Sequence, residues 1–496
     1  MSITAALSQH ARRTPDRIAV RCEDHQITWR ALDRAVERLA ARLVEAVPSG
    51  RGVALRLPNG PALVLLFLAA ARAGREAQIL DPDWPPAMAQ RVISELSPAI
   101  VVTERTELSH TRLIHVDPFG PFDSVTEAIG ASDRFTAATA PDPLASFYVG
   151  FTSGSTGMPK GYRRHHCSWL ESFAAAHMEF DIGPDDVVLA PGTLTHSLFL
   201  YGLAHGLHVG ASVVLCRRFR PNTVNRVIAD RGVTVIYGVP TQLETMIDAA
   251  ERSGALPFAG VRWILSSGAK WKSGSTVRLR RQFPASRFAE FYGSSELSFA
   301  TVTKDDENAP EDSVGRAFAN VTISIRDHLG RKLEPGEAGL VFVESPFQFT
   351  EYACGDTGVL LRAGNEISVG DVGVLDERGF LRLVGRASRM IIVSGRNIHP
   401  EPIEQVLERH PAIANAAVMG ITDDRHGERL VALVRPREGD TPNRPALIAW
   451  GRSALPLYKV PRRYAVPREW PITRSGKTDF QALADIWTAG AWEELP

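Results

Sequence analysis

The sequence predicts an α/β fold: a large N-terminal domain of α/β layers with a small β-barrel-like subdomain, followed by a small α+β C-terminal domain. Three observations predict it. Apolar strand-like runs alternate with helix-like runs over 50–104 and again over 166–267, the pattern of parallel strands covered by helices. From about residue 314 the texture changes to short strands joined by glycine turns, which read as antiparallel. After "GRASR" (385–389) a small mixed unit begins. The predicted domains are therefore 1–386, α/β to about 313 and mostly β over 314–386, and 387–496.

Taken in order, "MSITAALSQHARRTPDRIAV" reads as a short amphipathic helix stopped at Pro15, without the basic start and apolar core of a signal peptide. "GVALRL", a turn at Asn59-Gly60-Pro61, a buried helix, "AQIL", the turn "DPDWPP", a helix and "AIVVTE" follow. The apolar run "ALVLLFLAAA" (62–71) is about half of what a bilayer span needs. A helix over 166–178, "DVVLAP", a helix from about 197, "SVVLC", a helix over 222–231, "VTVIYGVP" and "VRWILSSG" continue the alternation. The last unit holds helices near 400–409 and 445–454 around "ANAAVMGI" and "RLVALVRP". No period of repeat-protein length recurs.

Composition excludes several function classes. Lysine plus arginine number 56, as do aspartate plus glutamate, so no global field favours nucleic acid or an anionic membrane. Any anion site must be local. Cys22, Cys167, Cys216 and Cys354 lie far apart, with no metal-type spacing and no disulfide framework. A cytoplasmic protein without a membrane span is expected.

Four stretches carry candidate chemistry. "GFTSGSTGMPKG" (150–161) lies between an apolar strand and an apolar helix, where glycines and hydroxyls can point several N–H and O–H groups at one phosphate. Its spacing departs from GxxxxGK[ST], since Lys160 is followed by glycine, so the nucleoside triphosphatase loop is excluded; taken alone, a solvated linker stays open. "EFYGSSEL" (290–297) offers Tyr292 to stack on a base and Glu296 to hold Mg²⁺, or it is an ordinary turn. Asp371 in "SVGDVG" can accept from ribose hydroxyls or simply form an Asp turn, and Arg386 stands at the domain boundary. Lys477 in "PITRSGKTDF" occupies a glycine-flanked loop.

These segments, in this order and at these separations, together with "GDVGVLDERGFLRLVGR", resemble the adenylate-forming enzymes: acyl- and aryl-CoA synthetases, adenylation domains and firefly luciferase. The resemblance covers nearly the whole chain. It implies that the C-terminal domain is a mobile lid, and that a carboxylate attacks the α-phosphorus of ATP to give acyl-AMP and pyrophosphate. Coenzyme A then takes the acyl group and AMP leaves. By position, the resemblance implies that Thr152, Ser153, Gly154, Ser155, Thr156, Gly157 and Lys160 embrace the phosphates. It likewise gives the adenine to Ser267, Gly268, Ala269 and Tyr292, further nucleotide contacts to Gly293 and Ser294, the α-phosphate to Ser295, Mg²⁺ to Glu296, and the ribose to Asp371 and Arg386. Lys477 would bridge carboxylate and α-phosphate, Ser388 would be the hinge, and Gly395 and Arg396 would meet coenzyme A.

The chain also departs from the family pattern. Ser388 stands where aspartate or lysine is usual, Ser295 where threonine is usual, Ile392 where many members are polar, and Pro402 where glutamate is frequent. "LTHSLFLYG" (194–202) makes His196 the residue expected to orient the carboxylate, with a structural histidine as the alternative. Tyr201, Tyr237, Gly238 and Phe291 are expected to line the acid pocket, whose apolar character suits a fatty, branched or aryl acid. Lys270 is the nearby cation in these segments, and no arginine there would pair a second carboxylate. The chain runs 19 residues past Lys477, so no fused carrier domain is expected. An acyl-CoA synthetase in fatty acid metabolism is the leading expectation. An acyl-AMP ligase serving a separate acyl carrier protein or another nucleophile is the alternative.

Overall fold

Residues 2–120, 124–128, 140–152, 158–271, 273–355, 360–393, 396–423, 427–472 and 478–496 are described by the structure, a computed structural model. The chain forms two compact units: Met1–Ile323 with Val343–Gly358, and Ser324–Phe342 with Val359–Pro496. The boundary placed from sequence at 386/387 thus falls inside the second unit.

The first unit holds the expected alternation. One run of neighbouring strands is Ser298–Lys304, Arg287–Ser294, Trp263–Ser267, Val235–Gly238, Val187–Ala190, Ser212–Leu215, Ile18–Cys22 and His25–Thr28. From Arg287–Ser294 through Ile18–Cys22 each pair is parallel. Parallel strands bury both faces, which is why "VIYG" and "SVVL" are largely apolar without alternation: all four residues of each are buried, and the one serine donates to Ile18 O at 2.6 Å. A second run places Tyr352–Cys354, Lys160–His165, Ser146–Thr152, Glu76–Ile79, Gly52–Arg56, Ile100–Thr103 and Leu113–His115 side by side.

Helix Pro61–Arg72 starts on a proline, whose missing N–H costs nothing in a first turn, and every residue from Pro61 to Ala71 is buried. A helix apolar on all sides needs complete cover, and here the cover is protein: Phe67 meets Phe147, Tyr148 and Trp169 at 6.1–6.2 Å. Each fully buried Leu, Val or Phe of this kind stabilises the fold by about 1.5–3 kcal/mol. No described helix is long and apolar enough to cross a membrane.

In the second unit, Asp371–Leu375 pairs antiparallel with Phe380–Arg386 and with Gly339–Glu344, as the glycine turns predict. The strands Ile413–Asp423 and Gly427–Pro436 form a long antiparallel pair, and helix Glu401–Glu408 buries Ile403 and Leu407 against a core that includes Val418 and Leu447. The chain is a mixed α/β protein with a large N-terminal and a small C-terminal region.

Candidate active site

Parallel register brings the first group of expected residues to one edge. Gly238 lies beside Ser266, and Ser267 beside Phe291, so the ends of three consecutive parallel strands align. Ser267 Oγ donates to Phe291 O at 2.9 Å, tying the "SSGA" loop to the strand that continues into Tyr292. Gly268 and Ala269 are exposed just beyond the strand end. Loops at the carboxyl ends of parallel strands are where open α/β sheets hold ligands.

The strand Arg287–Ser294 then turns back into Ser298–Lys304. At Gly293 a Cβ would stand 1.8 Å from Ser298 O, so only glycine allows this reversal. The turn is held by one bond of its own and by others from distant parts of the chain. Leu297 N donates to Ser294 Oγ (3.2 Å) and Phe349 N to Glu296 O (2.8 Å). Arg164 donates to Ser295 O (3.2 Å) and to Phe347 O (2.6 Å). Arg164 is 3 % exposed, and burial pulls its pKa down to about 10, still cationic at neutral pH.

Glu296, 8 % exposed, points its carboxylate at Tyr352, whose hydroxyl donates to Oε1 at 3.0 Å. Burial, then the Glu296 charge, raise the Tyr352 phenol well above its usual range, so it stays a donor. Lys160 Nζ stands 5.9 Å from the Tyr352 ring centroid, within cation–π range. In register Thr152 faces Lys160, so both close the ends of the glycine-rich stretch. Ser153, Gly154, Ser155, Thr156 and Gly157 lie outside the described residues. Neither Tyr352 nor Arg164 stands out in the sequence: each is one polar residue in a short strand, with no local spacing to mark it.

His196 is exposed at the N-terminus of helix Ser197–Val209. Its loop is fixed by Asn59, 3 % exposed, which donates to Gly192 O (2.8 Å) and Cys216 O (2.9 Å) and accepts from Leu194 N (2.8 Å). The turn reading of Asn59 gave no hint of this reach. Tyr201, Tyr237 and Phe291 are 6 %, 1 % and 6 % exposed, behind the strand edge. Tyr201 donates its hydroxyl to Ser172 O at 3.0 Å, and the Tyr237 hydroxyl hydrogen-bonds His205 Nδ1 at 3.0 Å. Lys270 is already engaged, by Glu290 at 3.2 Å and Ser313 O at 2.6 Å.

In the second unit, Asp371 opens one strand and Arg386 closes the next, directly opposite in register, with Arg386 Nε 3.1 Å from Asp371 Oδ1. Asp371 is buried, while the Arg386 side chain is 60 % exposed. Ser388 lies exposed in the turn Ala387–Arg389. Arg389 is clamped there by Glu401 (3.1 Å) and Glu404 (2.6 Å). Arg396 stacks its guanidinium 4.5 Å over Tyr458. Gly395 and Lys477 lie outside the described residues. Ile392 is exposed, and Pro402 sits in the first turn of helix Glu401–Glu408, where proline is tolerated.

The model of the AMP-binding enzyme family matches residues 7–353, and that of the AMP-binding enzyme C-terminal domain matches 402–477. The chain belongs to the AMP-binding enzyme family. It is 38 % identical over 483 residues to an uncharacterized acyl-CoA ligase, YhfT, of Bacillus subtilis (strain 168), covering 96 % of each. Among solved structures, it resembles o-succinylbenzoate CoA synthetase (MenE) from Bacillus subtilis in complex with its acyl-adenylate intermediate. There the TM-score is 0.83 and the identity 26 %, over 95 % of this chain and 96 % of that one. It also resembles the amide bond synthetase McbA from Marinactinospora thermotolerans, with TM-score 0.82 and 27 % identity over 97 % and 99 %. The family and its acyl-CoA ligase members make this chain an AMP-forming acid–thiol ligase.

Proposed function

We propose that this protein is an ATP-dependent carboxylate–CoA ligase that works through an acyl-adenylate. The observation that carries the reading is the junction of Lys160, Tyr352 and Glu296, which sets a cation from the end of the glycine-rich stretch over the ring of one tyrosine and a buried carboxylate at its hydroxyl.

The chemistry asks for that arrangement. A carboxylate must approach a polyanion, and no covalent nucleophile is needed from the protein; positioned charge and N–H groups do most of the work. Lys160 and Thr152 flank a loop suited to the β- and γ-phosphates. Glu296 fits Mg²⁺, because that ion takes one or two protein carboxylates and fills its other positions with water and phosphate oxygens, and Tyr352 orients one oxygen of the carboxylate. Bound there, Mg²⁺ would supply charge neutralisation to the triphosphate. Tyr292 and the Ser267–Ala269 loop form the adenine side, Ser295 serves the α-phosphate, and Asp371 with Arg386 serves the ribose. Lys477 takes the adenylating role and Ser388 the hinge, on the resemblance described above. Gly395 and Arg396 are assigned to coenzyme A on the same ground.

His196, held by the Asn59 loop, orients the carboxylate. Lys270 is neutralised by Glu290, so the acid is read as an apolar monocarboxylate, fatty, branched or aryl. Acid-dependent exchange of pyrophosphate into ATP, followed by thioester formation on adding coenzyme A, tests the whole reading. If no acid in a broad aliphatic and aryl panel supports exchange, the reading fails.

The likeness to an amide bond synthetase favours a second reading, in which the same adenylate passes to an amine or to a carrier thiol. Exchange without thioester formation from free coenzyme A would select it.

A further inference from the structure

Behind the strand edge that carries Gly238 and Phe291, aromatic rings fill the face of helix Ser197–Val209. The Tyr201 ring centroid lies 5.0 Å from Phe299, 5.3 Å from Phe173 and 6.4 Å from Tyr237. Tyr237 is one residue short of the edge, since the strand ends at Gly238. Its ring approaches the helix at Gly202, where a Cβ would already stand 3.0 Å from Tyr237 Cδ2. Its hydroxyl is bonded to Nδ1 of His205, a side chain with no exposed surface. The Nε2 of His205 is buried with no hydrogen-bond partner, so among the described residues Tyr237 is the hydrogen-bond partner that holds this imidazole, whose ring also packs on Tyr201 at 5.6 Å. A neutral histidine so placed strongly favours keeping the tyrosine hydroxyl, because losing it would strand the second ring nitrogen too.

We infer that Tyr237, locked by His205 and backed by Tyr201, is the floor of the acid pocket, and that this chain selects a compact apolar monocarboxylate over a long straight chain. The inference rests on the carboxylate-activating reading above, with the acid entering at His196 on the same helix. The tail of a carboxylate held there meets the Tyr201 and Tyr237 rings within about two helical turns. Each methylene that a fixed apolar wall refuses costs roughly 10- to 200-fold in specificity. Rings held in close packing by hydrogen bonds at their far ends do not swing aside cheaply.

The test is kcat/KM for acid-dependent pyrophosphate release by the full chain, over straight acids from butyrate to dodecanoate and with benzoate. Butyrate, hexanoate or benzoate is expected to exceed dodecanoate by at least about 100-fold. Tyr237→Ala is expected to raise the dodecanoate-to-butyrate ratio by at least about tenfold, with the KM for ATP unchanged. Tyr237→Phe, which keeps the ring and removes the lock, is expected to shift the ratio the same way by a smaller factor, and it decides the matter if Tyr237→Ala does not fold. Dodecanoate used as well as butyrate by the wild type overturns the inference, as does a ratio unmoved in a folded Tyr237 variant, while leaving the ligase reading intact. Failure of every acid to release pyrophosphate overturns both.

Discussion

The hydroxyl of Tyr352 donates to Glu296 Oε1 at 3.0 Å, joining two residues 56 positions apart and ordering the one buried carboxylate of the turn at 294–298. Tyr352→Phe keeps the ring beneath Lys160 and removes only this bond. A hydrogen bond to a charged group contributes about 1.5–3 kcal/mol, so pyrophosphate exchange is expected to slow about 10- to 100-fold and to need more Mg²⁺. Glu296→Gln is expected to cost more, on the order of 10²–10³. A Mg²⁺ titration of both variants checks this, and an unchanged Mg²⁺ midpoint in both would remove Glu296 from the metal role.

Asn59 holds the loop before His196 through three hydrogen bonds from a buried position. Asn59→Ala strands two carbonyls and an amide, at about 1–3 kcal/mol for each group left unsatisfied. The melting temperature is expected to fall. The KM for the acid is expected to rise more than the KM for ATP, and adding His196→Ala should then cost less than it does in the wild type. Independent, additive effects would show that Asn59 does not act through His196.

Lys477→Ala is expected to abolish acyl-AMP formation while sparing thioester formation from supplied acyl-AMP, with the loss on the order of 10²–10³ or more. The two half-reactions are assayed separately. Equal damage to both would sink the division of roles between the half-reactions.

Burial holds His166 down to about 4 and His205 down to about 3, from an ordinary value of 6.5. Both side chains have no exposed surface. As pH falls through 6.5 the unfolded chain takes up these protons and the folded chain does not. Their contribution is therefore complete above 6.5 and declines as pH falls toward 4 and then 3. Each histidine should lower the unfolding free energy by about 1.4 kcal/mol per pH unit within its window. Urea midpoints between pH 6.5 and 4.5, above the ordinary glutamate value, follow this fall, to which His208, also held down to about 4 by burial, and His165 and His399, held below their ordinary value, add. His166→Phe should flatten the slope there, and a slope unchanged by that substitution would reject the assignment.

Much of this architecture was legible beforehand. Largely apolar runs such as "VIYG" and "SVVL" announced buried parallel strands, and the helix expected over 222–231 is found over Pro221–Arg231. These signals are local: hydrophobic period and terminal chemistry act over a few residues, so a linear reading recovers them. The order and spacing of the glycine-rich stretch, the "YGSSE" turn, Asp371, Arg386 and Lys477 likewise carried the family, because each motif's chemistry is confined to its own loop.

Other relationships depend on distant parts of the chain meeting. Arg164 reaches Ser295 across 131 positions and Asn59 reaches Leu194 across 135, and neither residue carries a neighbouring pattern that names its partner. The same holds for Tyr201 and Tyr237, whose apolar rings suggested pocket walls but whose hydroxyls are committed to Ser172 and His205. By itself, then, the sequence determined the fold class, the order of the motifs and the reaction type they serve. Only the tertiary structure decided which side chains hold those motifs in place and what fills the space behind the strand edge, because a buried polar group's partner is set by three-dimensional packing rather than by any spacing along the chain.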